Sequence, residues 1–172
     1  MTITIAAPIV PPTRPKIVRT SDGGYRLMQS MRLATPMEEV FDFFADVQNL
    51  NLITPPWLAF EILTPGEINM GVGALIDYRL KLHGVSLSWT SEMTIWDPHR
   101  MFVDTQVRGP FKEWHHMHSF KEIDSTTTDI TDKVDYRVPA GRLVHRLFVK
   151  RDLEAIFAYR AERIAELLGG TP

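Results

Sequence analysis

One closing helix limits what this chain can fold into more than any other feature. A long run of strand-like segments ends in a single amphipathic helix, predicted over Val149 to Leu168. Val149, Leu153, Ile156, Phe157, Arg160, Ile164 and Leu167 share its broad apolar stripe, and Gly169-Gly170 stops it. Near the start, directly after the first strand, Thr35-Pro36-Met37-Glu38-Glu39 marks another helix. Thr35 is the N-cap candidate, Pro36 suits the first helical position, and Glu38 completes a capping box. Met37, Val40, Phe41 and Phe44 follow at helical spacing. A second short helix is expected over Asp46 to Thr54, ended by Pro55-Pro56. The order describes an α+β chain: a curved antiparallel sheet of about six to seven strands wrapped round a long C-terminal helix, with two short helices after strand 1. A sheet curved round one helix tends to enclose a cavity, so the functional question is what the cavity holds.

The strands follow from period-2 alternation. Tyr25 to Leu33 places Tyr25, Leu27, Met31 and Leu33 on one face, and Phe60 to Leu63 is a short second strand. Leu75 to Leu82 sets Ile76, Tyr78, Leu80 and Leu82 against Asp77, Arg79 and Lys81. His83-Gly84 is a tight turn, and Val85 to Ile95 returns with Val85, Leu87, Trp89, Met93 and Ile95 on one face. Met101 to Val107 follows. Lys112 to Glu122 brings Trp114, His116, His118 and Phe120 together, and Thr128 to Val138 does the same for Ile130, Val134 and Tyr136. Pro139-Ala140-Gly141 breaks the sheet. No repeat and no second domain is visible.

The 172 residues suit one domain, expected over 23–169, after a Pro-rich, flexible leader over 1–22. With no cysteine, disulfides and thiolate metal sites are excluded. The formal net charge is -2 and no Lys/Arg block stands out, which argues against a nucleic-acid partner. No apolar run approaches a membrane span, and residues 1–12 lack the pattern of a signal peptide, so a cytoplasmic, non-integral protein is expected. Homodimerisation through a strand edge is left open.

The best polar cluster is Trp114-His115-His116-Met117-His118. Alternation puts His116 and His118 on the face of Trp114 and Phe120, with i and i+2 roughly 7 Å apart. Two inward histidines can orient a polar head group, act as acid or base near neutral pH, or simply be satisfied by neighbouring carbonyls, Asp132 or Tyr136. A His-x-His pair can also give two imidazoles to zinc, but a third ligand is needed and only Asp132 offers itself, so no metal and no cofactor is expected. Gly71-Val72-Gly73 is a fragment of a phosphate loop that opens a strand instead of a helix, which fails the test of that motif. Ser86, Ser88 and Ser91 have no evident basic partner, so no catalytic set is assigned. Arg108, at a strand end, could meet an anion or simply stand in water. Trp57, Tyr78, Trp89, Phe102, Trp114, Tyr136 and Phe157 serve equally as pocket lining or as core.

Several separated stretches resemble one family. They are Pro36 to Phe44, Asn49-Leu50 with Thr54 to Leu58, Gly73 to Leu80, Asp104 to Phe111, Trp114 to Phe120 and Asp132 to Tyr136. Over about Tyr25 to Leu168 the chain resembles the START-like helix-grip (SRPBCC) superfamily, in a bacterial ligand-binding branch related to polyketide cyclases and coenzyme Q-binding START proteins. The resemblance implies a helix-grip fold and a cavity for a hydrophobic or amphipathic small molecule of lipid, quinone, isoprenoid or polyketide class. It implies no shared catalytic set. Tyr78, Trp89, Phe102, Trp114, His116, His118, Tyr136 and Phe157 are then the expected ligand contacts. Asn49 to Leu58 and Pro139 to Phe148 are expected to frame the opening. The alternatives are a cyclase or dehydratase using His116 or His118 as acid/base, and a protein-interaction domain with a filled core.

Overall fold

The computed structural model describes residues 12–139 and 141–169. Eight antiparallel strands form one sheet: β1 (Lys16–Arg19), β2 (Tyr25–Leu33), β3 (Glu61–Ile62), β4 (Leu75–Leu82), β5 (Val85–Asp97), β6 (Met101–Arg108), β7 (Glu113–Asp124) and β8 (Thr127–Arg137). Their order is β1-β2-β8-β7-β6-β5-β4-β3, so the last strand lies beside the N-terminal hairpin. α1 (Met37–Ala45) and the single turn α2 (Leu50–Ile53) follow β2, joined by a 3-10 turn over Val47–Asn49. After β8 come α3 (Gly141–Val144), a π-helical turn (His145–Val149) and the long α4 (Lys150–Leu168). The strands exceed the expected six to seven because β1 falls inside the expected leader. Lys16 to Arg19 pair with Met28 to Tyr25, and the Thr13 amide donates to the Ser30 carbonyl, so this stretch forms an edge of the sheet. Residues 1–11 of that leader lie outside the described residues.

Alternation decides which face meets the helix. In β2, Leu27, Gln29, Met31 and Leu33 are buried; in β8, every second residue from Thr128 to Tyr136 is. Leu153, Phe157, Ala161, Ile164 and Leu168 of α4 pack against this concave face. Leu167, expected on the stripe, is exposed while Leu168 is buried, because the buried row advances by three or four residues per turn. The β4–β5 hairpin turns on His83 and Gly84, both at positive φ (50° and 82°), the geometry that a two-residue hairpin loop requires.

Two further expectations are corrected. A β-bulge between Met93 and Ile95 reverses the alternation of β5, leaving Ile95 exposed and turning Trp96 onto the Phe41 ring. The bulge also bends the strand, which helps the sheet curve. Thr35 does not cap α1: Pro36 occupies the cap position and no side chain bonds there. The Thr35 hydroxyl instead donates to the Leu168 carbonyl, and its own carbonyl accepts from the Thr128 hydroxyl. Thr35 therefore ties the last turn of α4 to β8 by satisfying an orphan helix-end acceptor. No helix among the described residues is long and apolar enough to cross a membrane.

Candidate functional site

The inward positions of the central strands build the site. β4 contributes Ile76 and Tyr78, β5 contributes Trp89, Ser91 and Met93, β6 contributes Phe102 and Asp104, β7 contributes Trp114, His116, His118 and Phe120, and β8 contributes Asp132. Between this face and α4 lie two chambers. The larger, of about 310 Å³, is walled by Leu80, Leu87, Trp89, Phe111, Trp114 and Leu153 among others. The smaller, of about 80 Å³, is bounded by Phe44, Met93, Phe102, His118 and Arg160 among others. Tyr78, Asp104 and His116 border both, so a polar partition divides an apolar room from a charged one.

The apolar room is an aromatic corner. Trp114 meets Trp89 edge-on at 5.2 Å and Phe111 at 4.8 Å, and Trp89 stacks beside Tyr78 at 5.8 Å. The Trp89 indole N–H donates to the Ser91 hydroxyl, which is also 3.1 Å from the Tyr78 hydroxyl. One serine thus satisfies the polar edges of two buried rings. Burial, and then the neighbouring Asp104, push the Tyr78 hydroxyl well above its ordinary pKa, so it stays a neutral donor.

The charged room centres on Asp132. His116 Nε2 lies 3.3 Å from Asp132 Oδ1 and bonds to it, while His118 Nδ1 lies 2.7 Å from the same oxygen but out of line for a hydrogen bond. The two imidazoles stand 3.9 Å apart, centroid to centroid, and His118 stacks on Phe102 at 4.4 Å. His116 Nδ1 faces Asp104 Oδ1 at 3.8 Å, beyond hydrogen-bond range. Burial alone would raise the Asp132 pKa, but the attraction of His118 and the hydrogen bond from His116 outweigh it and keep the carboxyl ionised. Burial, then the adjacent His118, lower the His116 pKa in spite of the two carboxylates. Burial raises the Asp104 pKa against the pull of His116 and Arg160. Asp104 Oδ2, His118 Nδ1 and Arg160 Nε are buried and make no hydrogen bond.

Tyr78, Trp89, Phe102, Trp114, His116, His118 and Phe157 of the expected contacts border a chamber. Tyr136 does not. It sits at the β8 end, where its hydroxyl is 2.9 Å from His145 Nε2 and the His145 ring stacks on Tyr25, so neighbours close over it. Trp57 is exposed against Tyr159. Asn49, Leu50, Ile53, Thr54 and Leu58 do frame the chambers, as do Pro139 and Val144. Arg108 stands in water.

Asp104 is the residue that sequence reading missed. Its signal was its place two residues after Phe102 on a strand whose alternate positions turn inward. Arg160 sat in plain view as a charge on an apolar stripe.

A sequence model of the family described as polyketide cyclase / dehydrase and lipid transport matches residues 33–158. The chain belongs to this family. The match spans α1, the strands that wall both chambers and the first half of α4, and stops just short of Arg160. Solved structures agree on the START-like helix grip. The aromatase/cyclase ZhuI from Streptomyces sp. R1128 is 18% identical with a TM-score of 0.59, over 83% of this chain and 94% of that one. A START superfamily protein from Mycobacterium smegmatis is 15% identical with a TM-score of 0.60, over 84% and 99%. Protein Ms6760 from Mycobacterium smegmatis is 16% identical with a TM-score of 0.64, over 93% and 97%. Among curated proteins none matches the chain.

Proposed function

We propose that this family member binds an amphipathic small molecule, of lipid, quinone, isoprenoid or polyketide class, inside the paired chambers. The apolar body occupies the larger room and the polar end meets Tyr78, Asp104 and His116. The observation that carries this reading is the shared partition: one cavity system changes from aromatic to charged across three side chains. At about 310 Å³ the larger room falls within the roughly 300–1,000 Å³ of small-molecule sites. Its aromatic walls supply affinity at about 25 cal/mol per Å² of apolar surface removed from water. The donors and acceptors of the partition supply orientation.

The test is native mass spectrometry of freshly purified protein, followed by denaturing extraction. A co-purified amphiphile near one-to-one, displaced in Leu87→Trp, supports the reading. An empty protein that also fails to take up fatty acids, quinones and aromatic polyketides in titrations would overturn it. Open chambers weigh against an interaction domain with a filled core.

One observation favours a second reading. The buried Asp132–His116 hydrogen bond could set up His116 for proton transfer in a cyclase or dehydratase reaction. Unchanged turnover of a substrate by His116→Ala and His118→Ala would remove that reading.

A further inference from the structure

We infer that Asp104, His116 and His118 form a site for a divalent first-row transition ion, of the zinc, cobalt or iron(II) kind. Each of the three offers a ligand atom, and these atoms lie within 4.8 Å of one another. Donors around a tetrahedral ion with bonds of about 2.1 Å stand roughly 3.4 Å apart. The gap between His116 Nδ1 and Asp104 Oδ1, 3.8 Å, therefore needs only a small rotation to close on an ion. Asp104 Oδ2 is buried without a hydrogen bond, so no partner in the fold claims that oxygen.

Asp132 makes the case stronger than spacing alone. It hydrogen-bonds His116 through Nε2, so in a neutral imidazole that nitrogen carries the proton and Nδ1, on the Asp104 side, carries the lone pair. The same carboxylate oxygen lies against His118 Nδ1. A carboxylate hydrogen-bonded behind an imidazole, as Asp132 is behind His116, is the outer-sphere arrangement that fixes a ligand's tautomer in metal sites. The sequence had offered Asp132 as the third ligand; the fold places it behind the histidines and puts Asp104 in front. Charge points the same way. Asp104 and Asp132 are two acids in an interior where Arg160 is the cation bordering the small chamber. A divalent ion would balance them.

The donor set is two imidazoles and one carboxylate, which leaves coordination positions open toward the chambers. An oxygen at the polar end of the bound molecule, such as a phenolate, enolate or carboxylate, would fill one of them. That last step rests on the binding reading above. The metal site does not, because it is measured with no organic ligand present.

The experiment is titration of chelator-treated full-length protein with Co²⁺ and Zn²⁺, read by visible absorption, by calorimetry and by metal analysis after desalting. One equivalent of Co²⁺ with the strong d–d bands of a low-symmetry site is expected. Asp132→Asn should weaken affinity by roughly 10–100-fold, as outer-sphere changes do, and Asp104→Asn and His118→Ala by more. Circular dichroism of each variant checks that it has folded. Imidazole ¹⁵N shifts of His116 and His118 on adding Zn²⁺ to the unaltered protein give a readout that needs no variant. No stoichiometric uptake, or uptake that leaves those ¹⁵N shifts unmoved, or equal affinity in folded Asp104→Asn, overturns the site. A protein that takes metal but no amphiphile would refute the binding reading alone.

Discussion

The two chambers are made by the same strands and covered by the same helix, yet they differ in the polar groups they gather. The larger is walled mainly by indole, phenyl and aliphatic groups, and the Trp89 indole and Tyr78 hydroxyl at its edge are satisfied by Ser91. The smaller gathers Asp104, His116, His118 and Arg160, and several of their buried polar atoms have no partner. Along β7 the change takes a single inward step, from Trp114 to His116. The fold supplies a shell in which the inward residue at each position is free to vary, because main-chain pairing holds the sheet regardless of which side chain points in. The apolar room is thus an extension of the core, while the charged room is a departure from it. Buried groups left without partners are expensive to keep. They fit a site whose remaining partners come from a bound molecule or ion.

The comparison can be broken most severely on the apolar side. Trp114→Ala removes the ring that meets Trp89, Phe111 and Tyr136 at once. It should destabilise the chain by about 3–5 kcal/mol, measured by urea denaturation with the slope of the transition as a check on two-state behaviour. On the charged side, Asp132→Ala strips His116 of its ionic acceptor, and a loss of about 1.5–3 kcal/mol is expected.

Acidification separates the rooms without a mutation. His116 binds its proton more weakly in the folded chain than in the unfolded one, since burial lowers its pKa. The unfolded chain therefore takes up more protons as pH falls below about 6.5, and stability drops with it, by at most about 1.4 kcal/mol per pH unit for this one group. The drop stops once pH passes the lower, folded-state value. His145, also lowered chiefly by burial, adds a contribution of the same sign. Equilibrium denaturation from pH 8 to 5 should show this slope, reduced in His116→Gln and unchanged in Trp89→Phe. A slope indifferent to His116→Gln would show that the imidazole is not held neutral. The smallest effect belongs to the partition. Tyr78→Phe deletes one hydroxyl bond while Ser91 keeps the Trp89 indole as partner, so about 0.5–1.5 kcal/mol is at stake. Its larger consequence should be in ligand orientation, seen as altered selectivity among head groups.

How much of this was legible differs between fold and site. Period-2 alternation and the terminal helix stripe were enough for the sheet and its grip, and they placed His116 and His118 side by side and inward. Alternation fails where the chain slips a residue, and the bulge at Met93–Ile95 sent Trp96 inward unseen. Caps failed for a related reason: Thr35 has the right residue type at the right place, but its hydroxyl finds the end of α4, a partner distant in sequence. β1 was hidden by prolines that read as loose chain, though a sheet edge tolerates such neighbours. Tyr136 alternates correctly but is enclosed by His145, Tyr25 and Trp114, a matter of neighbours brought from elsewhere in the chain that periodicity does not encode. Alternation after Phe102 could have flagged Asp104 as inward, but its role, like that of Ser91, shows only once the strands are paired.

The central claim is that one amphipathic molecule spans both rooms across the Tyr78–Asp104–His116 partition. A crystal structure of the protein with the small molecule extracted from it tests this most directly. The account predicts the apolar body among Trp89, Phe111, Trp114 and Leu153, with the polar end within hydrogen-bond reach of Tyr78, Asp104 or His116. A molecule bound outside the chambers, or one whose polar end points away from the partition, would contradict it.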